Sequence, residues 1–88
     1  MLKCTTYELN DTTPTLIVDG SSIDGDFMVR LQVGATDVIV GADDVSTSNG
    51  YNLTPGTTDF DLHLDQGDSL YGVTSSGTGF VGVLVYSA

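Results

Sequence analysis

The chain is almost without basic side chains. Lys3 and Arg30 are the only two, and they face 12 acidic residues, so the formal net charge is −10. A surface of this sign repels the phosphate backbone of DNA and RNA, which binds to clustered cations. The sequence therefore predicts a protein with no direct nucleic-acid partner.

Cysteine is equally scarce, because Cys4 stands alone in 88 residues. One cysteine allows neither a disulfide within the chain nor a thiolate metal cluster, although small domains often depend on such cross-links. Catalysis by Cys4 would require a histidine beside it in space. We expect a small core or interface residue instead, and we expect neighbouring subunits to supply stability.

Long apolar runs are also missing. No stretch approaches the roughly 20 residues of a membrane-spanning helix, and residues 1–6 lack the apolar centre of a signal peptide. We expect synthesis in the cytoplasm and no membrane partner. A hydrophobic fraction of 40% with 16% charged residues is too apolar for a disordered acidic tail. The sequence predicts one folded domain spanning residues 1–88.

The apolar residues that are present follow a period of two, which is typical of strands. One face of the segment 27–33 carries Phe27, Val29, Leu31 and Val33, and the segment 59–65 alternates in the same way. Glycine-containing turns recur every 8–12 residues or so, among them Asn49-Gly50, which suits a type I′ turn. We predict about seven short strands near 2–8, 14–19, 27–34, 37–41, 57–64, 69–74 and 79–86. They form an all-β antiparallel sandwich or barrel, jelly-roll-like, without a substantial helix.

Two of these strands are apolar on both faces. The last strand carries Phe80, Leu84 and Tyr86 on one side and Val81, Val83 and Val85 on the other, and Leu16, Ile17 and Val18 form a similar run. An antiparallel sheet in a small monomer normally exposes one face to water, so such a strand needs a second cover. The cover is either the other sheet with its loops or another subunit, and the small core favours a subunit interface.

No group of residues has the pattern of an active site or a cofactor site. His63, the only histidine, lies between Asp61 and Asp65 without the G-x-S-x-G context of a serine hydrolase. Asp24 and Asp26, like the pair at 43–44, could supply oxygen ligands to Ca²⁺, but the full calcium-loop motif is missing. We predict a non-enzymatic protein without catalytic, cofactor or metal residues. Structural cations at the Asp-rich turns remain an alternative, as does glycosylation in the N-x-[ST] matches at Asn10 and Asn52.

The acids are unusual in kind, because 11 of the 12 are aspartate. Turns between strands favour aspartate, which accounts for part of the bias. An excess of carboxylates over cations also suits a protein that works in high salt, where ions screen the repulsion. Our second hypothesis for the excess of acidic residues is therefore that the protein is halophilic.

More than half of the chain resembles a pattern found in small virion proteins of tailed phages and viruses, V-x-V-G … S-N-G-x-x-L-x-P-G … D-x-L-Y-A-V … S-G-T … V-x-V-L. The matching segments are Val38-Ile39-Val40-Gly41, Ser48-Asn49-Gly50, Leu53-Thr54-Pro55-Gly56, Asp68-Ser69-Leu70-Tyr71, Ser76-Gly77-Thr78 and Val83-Leu84. The chain departs from the pattern at Gly72, where alanine is usual, and at Gly79 and Gly82, in a strand that is usually more β-branched. Most matched positions are turn residues and strand valines, which other sandwiches share.

The resemblance implies a structural role on a virus particle, as a capsid decoration or cement protein or as a turret or spike subunit. Such proteins are commonly trimers that contact a major capsid protein or another virion protein. The interface predicted on this basis comprises Leu16, Ile17, Val18, Tyr51, Leu53, Phe80, Val81, Val83, Val85 and Tyr86. The alternative is a receptor- or carbohydrate-binding module of a viral spike or fibre.

Overall fold

The computed structural model describes residues 2–56 and 60–88, which form eight strands and one short 3₁₀ turn at Gly20–Ser22. The strands are β1 (Leu2–Leu9), β2 (Thr15–Asp19), β3 (Phe27–Val33), β4 (Val38–Gly41), β5 (Tyr51–Leu53), β6 (Phe60–Leu64), β7 (Ser69–Thr74) and β8 (Gly79–Ser87). The seven strands predicted from sequence all occur, and β5 is an eighth that the sequence did not indicate. The predicted beginning of the sixth strand, at residues 57–59, lies outside the described residues. No helix in the described part of the chain is long and apolar enough to cross a membrane.

The strands build two four-stranded antiparallel sheets. The first sheet has the order β1-β8-β3-β6 and the second the order β2-β7-β4-β5. Two packed sheets of eight strands with these crossings form a jelly roll, which confirms the predicted fold class. Because consecutive strands repeatedly cross from one sheet to the other, residues far apart in sequence become neighbours in each sheet.

The inner faces of both sheets form the main core. The valines of β8 at positions 81, 83 and 85 are 0%, 2% and 7% exposed, and Leu53 of β5 is 4% exposed. The predicted subunit contacts of Val81, Val83, Val85 and Leu53 are therefore corrected. The second sheet of the same chain covers these side chains, so this face of β8 needs no partner.

A bulge explains the apolar run of β2. Leu16 pairs with Tyr71 and Val18 pairs with Leu70, so Ile17 is an extra residue between the two pairs. An extra residue breaks the alternation of a strand, and it allows both Ile17 and Val18 to point into the core, where they are 2% and 3% exposed. Their predicted role in a subunit interface is likewise corrected, and only Leu16 of this run faces outward.

The loop at residues 42–50 packs on the outer face of the second sheet. Val45 is 3% exposed and forms a small second core with Ile39 and Val73. Gly50 allows this approach, because a Cβ atom there would lie 2.6 Å from Ile39 Cγ2. Asn49 does not have a positive φ, and it pairs with Ser46 across a tight turn, so the predicted type I′ turn at Asn49-Gly50 is wrong.

The turns at the ends of the sandwich are held by aspartate and asparagine side chains. Asn10 Oδ1 accepts hydrogen bonds from the backbone amides of Thr12 and Thr13 at 2.9 and 2.7 Å. Asp19 Oδ1 accepts from Ser21 Oγ at 2.6 Å and from Ser21 N at 3.1 Å, and these bonds hold the pKa of Asp19 below its usual range. The abundance of aspartate thus has a local structural reason at some turns.

Candidate assembly surface

The outer face of the first sheet carries a group of apolar side chains that we name the outer patch. Strand register places them side by side, because Leu2 pairs with Tyr86 and Tyr86 pairs with Met28 across β1, β8 and β3. The next outward row joins Cys4 to Leu84. The outer patch comprises Leu2, Cys4, Met28, Leu84 and Tyr86, and also Phe80, which lies farther along the same face of β8, beyond Gly82 and opposite Glu8.

The side chains of the outer patch remain open to solvent. Leu2 and Phe80 are 74% and 55% exposed, and Cys4 is exposed as a free thiol. The three members at the centre of the sheet, Met28, Leu84 and Tyr86, are half-buried. Adjacent exposed apolar side chains on a sheet face are typical of a binding surface, whereas single ones are normal for any protein.

Charged side chains also lie on this face, mainly around the margins of the outer patch. Within the strands, the charged residues pointing outward are Glu8, Arg30 and Asp61. Asp26 and Asp65 lie just beyond the strand ends at the corner that carries His63. Arg30 Nη1 lies 3.6 Å from Asp61 Oδ2, so these two charges largely offset one another. Most of the other acids lie in the turns that join the strands. The acids are thus concentrated in the turns, and the apolar side chains of the outer patch lie between them on the sheet.

The outer face of the second sheet differs because the chain covers much of it. The loop carrying Val45 buries Ile39 and Val73 there, and Tyr71 packs against the same cluster. Leu16 remains 40% exposed beside Tyr71. Of the two sheets, the first therefore presents the larger uncovered apolar surface in the described chain.

The ten residues predicted as an interface do not form one surface. Phe80 and Tyr86 belong to the outer patch, and Leu16 lies on the opposite side of the sandwich. Tyr51 is 62% exposed and stacks at an angle against Phe60, with ring centroids 5.5 Å apart, where edge strands of the two sheets meet. The other six line the core.

The predicted interface missed four members of the outer patch, Leu84 on β8 and also Leu2, Cys4 and Met28 on the strands beside it. The available signal was their alternation with side chains such as Lys3, Thr5 and Val29, but this alternation only assigns residues to two faces. It does not say which strand pairs with which. Only the register of β1, β8 and β3 places these four side chains together.

The two side chains considered for catalysis are far apart. Cys4 lies on β1 and His63 on β6, which are opposite edges of the first sheet. Three strand spacings of about 4.8 Å separate them, or roughly 14 Å. His63 instead lies near Asp26, with Nε2 3.6 Å from Oδ2, and both side chains are exposed. The arrangement of Cys4 and His63 does not support a thiol nucleophile activated by an imidazole.

Comparison with known proteins adds a likeness of fold. No protein-family model and no curated protein matches the chain. Among solved structures, the fold is similar to that of a chain from the Bacillus endospore appendages, described as a novel family of disulfide-linked pili. The TM-score is 0.55 and the sequence identity is 13%, over 99% of this chain and 85% of the other. At this identity, the likeness extends to the fold alone.

Proposed function

We propose that this protein is a structural subunit of an extracellular assembly and that the outer patch is its main contact surface. The observation that carries the proposal is the group of exposed and half-buried apolar side chains on one sheet face of a chain with a net charge of −10. Like-charged copies repel one another wherever their acids meet. A neighbour that contacts the outer patch buries apolar side chains, whose burial favours association.

The size of the molecule sets a condition on this contact. A specific interface buries about 800 Å² on each partner, and the extents of the chain are 34 × 24 × 17 Å. The broad side of a body with these extents therefore has an area of at most about 800 Å². The contact must therefore use most of the sheet face, with Leu84 and Tyr86 near its centre and Leu2 and Phe80 towards its margins.

We further propose that the assembly is the particle of a tailed virus, where the subunit decorates or cements the capsid. The support is the resemblance of the segments between residues 38 and 84 to small virion proteins, together with a jelly-roll fold that recurs in viral capsid domains. Fold alone does not assign function. The partners on this proposal are sister copies, commonly in a trimer, and a major capsid protein or another virion protein.

Disulfides formed by this chain alone cannot link a continuous assembly. Each copy carries one cysteine, the exposed Cys4, and one cysteine can join a chain to only one other chain. A disulfide-linked polymer needs at least two linkages for every subunit. A continuous cross-linked chain of the kind named for the Bacillus appendages is therefore not available to this protein by its own cysteine.

The decisive variant is Leu84→Asp, which places a charge at the centre of the outer patch. Burial of a leucine side chain contributes about 1.5–3 kcal/mol, so we expect its loss to weaken association by about 10-fold to 100-fold. The matched control is Leu16→Asp, which adds the same charge on the other side of the sandwich. Sedimentation velocity of both variants and the unmodified chain, in molar NaCl, measures the effect.

The control must associate like the unmodified chain, while Leu84→Asp must associate about 10-fold to 100-fold more weakly. Equal association of both variants would remove the outer patch from the proposal. The virion location is tested separately, by imaging purified particles with the labelled protein bound. A protein that stays monomeric and binds to no capsid would contradict the decoration role.

A second candidate function, carbohydrate or receptor binding, has one observation in its favour. Tyr51 is 62% exposed, and its ring is held against Phe60, as in surfaces where aromatic rings stack on sugars. Tyr51→Ala is the test of this function. Binding to defined glycans that is lost in this variant but retained in Leu84→Asp would favour recognition over assembly.

Salt dependence tests the halophilic hypothesis. If self-repulsion of the acids opposes folding, raising NaCl from dilute buffer to the molar range screens it. We expect the thermal midpoint to rise by about 4–8 °C, equivalent to about 1 kcal/mol for a domain of this size. Asp43→Asn with Asp44→Asn, both at exposed positions, should reduce the rise. Equal midpoints in dilute and molar salt would exclude the hypothesis.

A further inference from the structure

Two carboxylates and the only histidine meet at one corner of the first sheet. The pairing of β3 with β6 ends at Phe27 and Leu64, whose side chains point inward. The next residues, Asp26 and Asp65, therefore face each other on the outer side, with His63 beside them. One ligand atom from each of these three side chains lies within 4.8 Å of the other two.

Hydrogen bonds from backbone amides to side-chain oxygens hold the two loops of this corner together. Gln66 N donates to Asp26 Oδ1 at 3.3 Å, and Gly25 N donates to Gln66 Oε1 at 3.1 Å. In the turn that follows β6, Asp68 N donates to the carbonyl oxygen of Asp65 at 3.0 Å. The loops that carry Asp26 and Asp65 are thus held next to each other by the fold.

Two carboxylates this close together offer a cation two negatively charged ligands. Like charges directly opposite each other across two strands are destabilising. The two basic side chains lie elsewhere: Arg30 contacts Asp61, and Lys3 is on β1, two strands from β3. The imidazole of His63 lies beside Asp26, with Nε2 3.6 Å from Oδ2. A bound divalent ion would offset both carboxylates.

We propose that Asp26, His63 and Asp65 bind a divalent transition metal ion of the zinc class. The imidazole decides the class, because Ca²⁺ and Mg²⁺ prefer ligand sets made of oxygen, whereas imidazole with carboxylates suits Zn²⁺ and its neighbours. Zinc bonds of about 2.1 Å need ligand atoms roughly 3.4 Å apart in a tetrahedron. Rotation of exposed side chains can close that distance, and the fourth position is left for water.

The test is a titration of the purified chain with Zn²⁺, followed by calorimetry and by the NMR signals of the His63 ring. We expect saturable binding of one ion per chain with shifted ring signals. His63→Gln and Asp65→Asn should each weaken binding by at least about 10-fold. Asp61→Asn is the matched control, because it removes a charge from the same strand and the same face without removing a ligand, and its affinity should stay within about 2-fold.

Three results would overturn the proposal. One is a weakening in Asp61→Asn as large as in Asp65→Asn, which would indicate general attraction of cations to acids. Another is equal affinity for Ca²⁺ and Zn²⁺, and the third is binding that persists in His63→Gln but disappears in Cys4→Ser, since the exposed thiol is an alternative zinc ligand. The titration uses the isolated chain and Leu84→Asp in parallel, so its result is separate from that of the assembly experiment.

Discussion

Replacement of Phe27 by alanine is expected to lower the free energy of unfolding by about 3–5 kcal/mol. Phe27 is completely buried and is the largest fully buried side chain in the described chain. It begins β3, which lies between β8 and β6, and packs into the core between the two sheets. Alanine would leave a cavity there. Since small proteins are stable by about 5–15 kcal/mol in total, the variant should be near the limit of folding.

Phe80→Ala is the control for this prediction. It removes the same atoms from a strand of the same sheet, but Phe80 is 55% exposed and leaves no cavity. We expect a change below about 1 kcal/mol. Urea denaturation followed by circular dichroism measures both variants. A similar loss in the two would mean that Phe80 is covered in the folded chain, contrary to its position on the outer patch.

Gly20→Ala is the second substitution with a large expected effect. Gly20 lies in the 3₁₀ turn after β2, and a Cβ atom there would overlap the carbonyl group of Asp68. The Gly20 carbonyl oxygen also accepts hydrogen bonds from Ile23 N at 3.2 Å and from Gly67 N at 3.3 Å. Because the added Cβ atom would meet backbone atoms of Asp68, no side-chain rotation relieves the overlap. We expect a loss of about 3 kcal/mol or more, at the upper end for overpacked sites.

Gly82→Ala is the matched control, since Gly82 lies in β8 and its added Cβ would have only ordinary contacts, the nearest at 3.6 Å from Gln32 Cβ. We expect the free energy of unfolding to change by less than about 1 kcal/mol, with a gain possible because glycine weakens a strand. Urea midpoints measure both variants. If Gly20→Ala is as stable as Gly82→Ala, the turns at Gly20 and Asp68 do not pack as described.

The strands were predictable because alternation is a local property. In 27–33, the four apolar residues of the pattern are the four that the fold buries. Turn glycines gave the boundaries of most strands for the same reason, since their conformational freedom depends on neighbours in sequence. The short strand β5 escaped prediction, because three residues between two turn motifs carry almost no periodic signal, and its pairing with β4 defines it.

The candidate sites could not be predicted in the same way. Asp26 and His63 are separated by 36 intervening residues, and only the pairing of β3 with β6 brings them together. The outer patch joins Leu2 at one end of the sequence to Tyr86 at the other through the pairing of β1 with β8. Register between distant strands is fixed by packing and long-range hydrogen bonds, which single-sequence patterns do not contain.

The sequence by itself determined the scarcity of positive charge and cysteine, the all-β character and the two-faced apolar nature of β8. Only the tertiary structure decided which of the two apolar faces of β8 is covered by the same chain and which is exposed. One face of β8 is covered by the chain's own second sheet, while the other, with Leu84 and Tyr86, remains open. Alternation assigns residues to faces, but cover depends on which sheet packs against which face, and that is a property of the whole fold.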